Sequence, residues 1–140
     1  MNWFDIAREY TEKWLHQQHI RQALSMPILE AREFLFPVLD IFLRALPYTY
    51  RNILAPNGTT LVLHITGDAG GDWSLRRESA AWALFSGSAA APDAQVTMDQ
   101  DLAWRVFTKD VAPQSARSRI QITGNTQLGE QIVTMVSIMA

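Results

Sequence analysis

The apolar and polar positions of this chain change period near residue 59, from a helical repeat to an alternating one. From Asn2 to about Leu24 no proline interrupts the chain, and steps of 100° place Trp3, Ile6, Ala7, Tyr10 and Trp14 on one face. Asp5, Glu9, Glu12, His16 and His19 fall on roughly the opposite face, so an amphipathic helix with an aromatic stripe is predicted. That stripe needs cover, from the rest of the chain or from a second copy. Met26-Pro27 ends the helix, because proline lacks an amide donor and restricts the residue before it. Ile28 to Phe36 leaves room for a short helical turn. A second helix is expected over Val38 to Leu46, with Pro37 in its first turn and Pro47 closing it.

Tyr48 to Gly58 reads as a connector. Alternation then predicts strands over Thr59 to Thr66, Asp72 to Arg77, Ala80 to Phe85 and Ala94 to Met98, with Gly67 to Gly71 as a hairpin connection. Asp99 has the character of a helix N-cap for Gln100 to Phe107. Val111 to Ala116 reads as a loop, and Arg119 to Ile122 as a fifth strand. A last helix follows Gly124-Asn125, with Leu128, Ile132, Met135, Val136 and Met139 at three- and four-residue steps. The expected class is α+β: a five-stranded, mostly antiparallel sheet covered by helices, plus an N-terminal amphipathic helix. Residues 1–26 form the first unit and 27–140 the second.

Composition narrows the chemistry. The 140 residues are 48% hydrophobic and 19% charged, with a net charge of −2 and no cysteine. There is no basic field for a phosphate backbone, so nucleic acid is not an expected partner. Thiolate metal sites and cysteine nucleophiles are excluded. The run from Phe34 to Leu46 is broken by Pro37, Asp40 and Arg44 and is too short to span a bilayer. The N-terminus lacks the apolar core of a signal peptide, and a cytoplasmic location is the expectation.

Two motif groups carry a resemblance. Gly67-Asp68-Ala69-Gly70-Gly71-Asp72-Trp73, Asp101-Leu102-Ala103-Trp104-Arg105-Val106-Phe107-Thr108, Leu128-Gly129-Glu130, Met135-Val136 and Met139-Ala140 follow one another in order. Together they resemble the C-terminal domain of mycothiol-dependent maleylpyruvate isomerase-like proteins, a domain similar in fold to sterol carrier protein 2. The opening Tyr10-Thr11-Glu12-Lys13-Trp14-Leu15-His16-Gln17-Gln18-His19-Ile20-Arg21 resembles the last helix of their DinB-like bundle. The resemblance implies a divalent metal, usually zinc, and mycothiol as co-substrate. The positions that match the metal ligands of that helix are Glu12 and His16. The further histidine ligand of the family comes from an earlier helix, which this sequence does not carry.

Two classes of function follow. Trp73, Trp82 and Trp104, with Phe85 and Phe107, are expected to converge on one layer and line an apolar cavity, with Arg105 orienting an anionic head. The leading reading is therefore a domain that binds a hydrophobic or thiol-bearing small molecule, not catalytic alone, and that pairs as a homodimer through its N-terminal helix. The alternative is a metal- and mycothiol-dependent isomerase or transferase, active as an oligomer or with a separate bundle subunit.

Overall fold

The computed structural model describes residues 2–135. Helix α1 spans Trp3–Ala23. Asn2 caps it, accepting the Asp5 amide at 3.0 Å, while the Asp5 carboxylate reaches back to the Asn2 amide. This reciprocal pair meets two of the free donors that every helix start exposes.

The chain reverses through residues 24–31 and enters α2, Arg32–Phe42. This helix begins before Pro37, not after it. The reason is a continuous buried stripe of Leu35, Val38, Leu39 and Phe42, whose packing outweighs the single hydrogen bond that Pro37 removes. A 3-10 turn, Leu43–Ala45, leads into the short α3, Leu46–Thr49. Pro47 therefore opens a helical turn where the sequence predicted a stop, since a first-turn amide needs no partner within the helix.

The sheet contains β1 Thr60–Thr66, β2 Gly71–Arg77, β3 Trp82–Ser86, β4 Ala94–Asp99 and β5 Gln121–Gly124. Its spatial order is β3-β2-β1-β4-β5. Every pairing is antiparallel except β1 with β4, which is parallel, with Leu63 opposite Trp73 on one side and Val96 on the other. Leu61, Leu63, Ile65, Trp73, Leu75, Val96 and Met98 point to the covered face and are buried. Between β1 and β2, Gly70 sits where a Cβ would lie 1.9 Å from the Ile65 carbonyl oxygen, so only glycine closes this hairpin.

Asp99 caps α4, Gln100–Phe107, by accepting the Leu102 amide at 2.7 Å. Two boundaries beyond it differ from expectation. Residues around Pro113 form α5, Pro113–Arg117, with the proline in the tolerated first turn. The Arg119 amide bonds to Ala116, which assigns Arg119 to the turn after α5 and shifts β5 two residues along. Helix α6 is only Thr126–Glu130, followed by a 3-10 turn, Gln131–Thr134. The Tyr50 hydroxyl takes the Leu128 carbonyl at 2.6 Å, the acceptor that a continuing α-helix would offer Ile132. Val136 and Met139 lie outside the described residues.

Helix α1 buries Ala7, Thr11, Trp14 and Gln18 against the rest of the chain. Trp14 meets Trp104 of α4 edge-on, with ring centroids 5.3 Å apart. Gln18 binds the Trp14 carbonyl with its amide nitrogen and receives the Leu29 amide at 2.8 Å, clamping the returning chain onto the helix. Trp3, Ile6 and Tyr10 of the aromatic stripe stay exposed. The buried face is rotated from the expected one because Thr11 and Gln18 meet their polar needs on backbone atoms, at Arg8 for the hydroxyl. Replacing Trp14 with alanine is expected to cost about 3–5 kcal/mol of unfolding free energy. Urea denaturation checks this, and a loss below about 1 kcal/mol would contradict the docking of α1.

Candidate functional site

A strongly apolar concavity lies between the start of α1 and the α2–α3 segment. It holds about 430 Å³ and is lined by Trp3, Phe4, Ala7, Ile41, Arg44, Ala45 and Tyr48. Ile41, Ala45 and Tyr48 recur at steps of four and three, which puts them on one flank of the α2–α3 segment, beside the Val38–Phe42 face that enters the core. Arg44 is the one charged wall residue. Its guanidinium stacks over the Trp3 ring at 4.4 Å and reaches the Asp40 carboxylate at 3.9 Å. Asp40 in turn accepts the Trp73 indole N–H at 3.0 Å, tying the rim to the sheet. A shallower hollow of about 290 Å³ continues along α1 past Trp3, Ile6, Tyr10, Pro37 and Ile41.

The residues singled out from sequence are distributed differently. Trp73, Trp82, Trp104 and Phe107 are all buried on the covered side of the sheet. Trp73 stacks on Phe36, Trp82 meets Tyr50 edge-on and donates its N–H to Ile53, and Trp104 meets Trp14. The Trp104 indole N–H has no partner among the described residues. Phe85 does not converge with them. It sits opposite Ser74 on the outer face and is 47% exposed, because it lies an odd number of positions, three, beyond Trp82 and side chains alternate faces at every step of a strand.

Arg105 is held rather than free. Its Nε donates to Asp101 at 2.9 Å and its Nη1 to Asp110 at 2.8 Å, while the guanidinium covers the Trp104 ring at 4.3 Å. Burial alone would lower its pKa, but the two carboxylates outweigh that and raise it. Beside it, the Glu30 carboxyl is raised above the ordinary carboxylate value by burial and by facing Asp101. Burial likewise pushes the Tyr50 hydroxyl well above its usual range. On the outer face, His64 Nδ1 is hydrogen-bonded to Asp72 across β1 and β2.

Glu12 and His16 lie one turn apart on α1, both exposed, with His19 exposed beyond them. No cluster of three metal-ligating side chains occurs among the described residues. Two donors on one helix leave a zinc ion short of the three protein ligands a catalytic site requires, so the described residues do not by themselves fit such a site.

With the geometry in view, the comparisons place the fold. Sterol carrier protein 2 like 2 from Aedes aegypti matches with a TM-score of 0.50, over 69% of this chain and 94% of that one, at 17% identity. The solution structure of palmitated SCP2L2 from Aedes aegypti matches with a TM-score of 0.51, over 68% of this chain and 86% of that one, at 18% identity. The chain therefore has a sterol carrier protein 2-like α+β fold. No family model and no curated protein matches the sequence. No helix among the described residues is long and apolar enough to cross a membrane.

Sequence reasoning missed Phe4, Ile41, Arg44, Ala45 and Tyr48. The available signal was the second apolar flank, Ile41, Ala45 and Tyr48, running past the proline that was read as a stop.

The raised Glu30 pKa gives a pH dependence with a definite sign. A carboxyl that holds its proton more tightly when folded adds stability below its ordinary value of 4.5, and that addition is lost as pH rises through the raised value. Glu30→Gln is expected to flatten this part of the stability–pH curve and to stabilise the protein at neutral pH. Urea unfolding across that range checks it; an unchanged curve would contradict the Glu30–Asp101 pairing.

Proposed function

We propose that this chain binds a hydrophobic small molecule with an anionic end, of which a long-chain fatty acid is the simplest example. The observation that carries the reading is the groove at Trp3, Phe4, Ile41, Ala45 and Tyr48, apolar except for Arg44. Its volume of about 430 Å³ falls in the usual range for small-molecule sites, about 300–1,000 Å³. Apolar walls favour an alkyl chain by burial, and Arg44 supplies a planar donor pair for a carboxylate at the rim. The Asp40 contact of Arg44, at 3.9 Å, is long enough to exchange for a ligand carboxylate. The palmitated neighbour of the same fold supports an acyl chain as the ligand class. Of the buried tryptophans, Trp73 is tied to the rim of the groove through Asp40 and Arg44.

We also propose a second copy of this chain as its protein partner, through the exposed face of α1. The reading as a metal- and mycothiol-dependent isomerase or transferase draws support from Glu12 and His16 sharing one exposed helix face. It requires a third ligand from another chain. Metal analysis after zinc incubation tests it: bound zinc that is lost in Glu12→Ala/His16→Ala is the outcome that reading needs.

The fatty-acid reading is tested by titrating a fluorescent fatty acid. Saturable binding is expected, weakened about tenfold by Arg44→Met through loss of the charge-assisted hydrogen bonds. Absence of saturable binding to the unaltered chain would remove the proposal.

A further inference from the structure

The outer face of the sheet is crossed by a strap. Strands β3 and β4 lie on opposite sides of the β2–β1 pair, so residues 87–93 must pass both strands to join them. The crossing is pinned at each end. Gly87, with φ at +94°, donates its amide to the Asp72 carbonyl of β2 and accepts the Ser74 hydroxyl at 2.6 Å. Asp93 donates to the Thr60 carbonyl of β1 at 2.8 Å, and its carboxylate accepts the Thr60 amide at 2.9 Å. Ser74 alternates with Trp73 and Leu75, which fill the covered face, yet Ser74 is buried too, so the strap lies over the outer face.

Between strap and sheet is a hollow of about 410 Å³, within the usual range for small-molecule sites, about 300–1,000 Å³. Thr60, Ser74, Arg76 and Phe85 line it from the sheet, and residues 86–90 line it from the strap. The strap side chains are serine, glycine and alanine, so they wall the hollow without filling it. Arg76 lies opposite the small Ala83, and Phe85 lies opposite Ser74. The two are diagonal neighbours on one face, about 7–8 Å apart. Elsewhere Arg32, Arg44, Arg51, Arg77 and Arg105 each cover an aromatic ring. Arg76 does not cover Phe85, and it has no ion pair or hydrogen bond among the described residues. Glu78, two positions along the chain, does not pair with it either. The amides of residues 88–91 likewise donate to no group among the described residues.

We propose that this hollow is a second binding site, separate from the helical groove, for a small aromatic carboxylate. Arg76 supplies one positive charge on a planar fork of donors, which matches the two oxygens of a carboxylate. Phe85 is the only large apolar side chain in the wall, so the site offers a ring to pack on rather than the apolar length an alkyl chain needs. The short diagonal between them suits a ring joined directly to its carboxylate. The strap amides and the Ser88 hydroxyl provide further donors on the opposite wall.

The probe is 2-naphthoate, titrated into the full chain by calorimetry and by amide NMR. Saturable binding is expected, with the largest shifts at Arg76, Phe85 and residues 87–90. Arg76→Met should weaken it about tenfold, through loss of the charge-assisted pair. The neutral 2-naphthamide should bind the unaltered chain about tenfold more weakly than 2-naphthoate, a comparison that needs no variant to fold. Arg76 is exposed, so urea unfolding of Arg76→Met should match the parent. Arg44→Met should leave naphthoate binding unchanged, and a long-chain fatty acid should not displace it. No saturable binding, or equal affinity in Arg76→Met, overturns the site. Loss of naphthoate binding in Arg44→Met, or displacement by the fatty acid, also overturns it and assigns the probe to the groove. Failure of fatty-acid binding alone bears on the groove and leaves this site standing.

Discussion

The edge-on contact between Trp14 and Trp104 is the constraint on which the arrangement of this molecule turns. It joins the first helix to α4, and α4 is packed on the sheet through Leu102, Ala103, Val106 and Phe107. Once Trp14 points inward, the rotation of α1 is set. Ala7, Thr11 and Gln18 must follow it inward, and Ile6, Tyr10, Lys13, Gln17 and Ile20 must stay out. The Gln18 clamp on Leu29 then directs the chain back along α1 and into α2. The groove at Trp3 and Phe4 exists because the N-terminal end of α1 projects beyond this anchor over Ile41, Ala45 and Tyr48. Sequence, packing and candidate site are thus linked through one aromatic pair.

The sheet supplies rigidity under that arrangement. Its parallel β1–β4 pairing lets β4 run directly into α4, with Asp99 ending the strand and capping the helix. The hairpin after β1 also organises the helical layer. The Asp68 carboxylate accepts the first amide of α2 at 3.1 Å, and Ala69 donates to Gln100 of α4 at 2.7 Å. One tight turn therefore positions the starts of both covering helices, and the glycine at residue 70 is the price of fitting it against Ile65.

Strands were legible because alternation survives wherever one face is buried: Leu61, Leu63 and Ile65 announce β1, and Asp99 announces the start of α4. The helical half was harder to read. Proline punctuation misled at Pro37 and Pro47, where a buried stripe and first-turn placement made proline tolerable. The inward face of α1 escaped a hydrophobicity count because two of its four buried side chains, Thr11 and Gln18, are polar and satisfied on backbone atoms. The placement of Phe85 was available from strand parity with Trp82. The groove was not legible, since it depends on where two helices of opposite ends of a stripe come to rest, which no local pattern encodes.

The account rests on the groove, rather than the tryptophan interior, as the seat of ligand binding. Isotope-filtered NMR of the chain with a bound long-chain fatty acid tests this most directly. Contacts from the acyl methylenes to Trp3, Phe4, Ile41 and Tyr48 are the predicted result. Contacts confined to Trp73, Trp82, Trp104 and Phe107 would contradict it and move the site into the core.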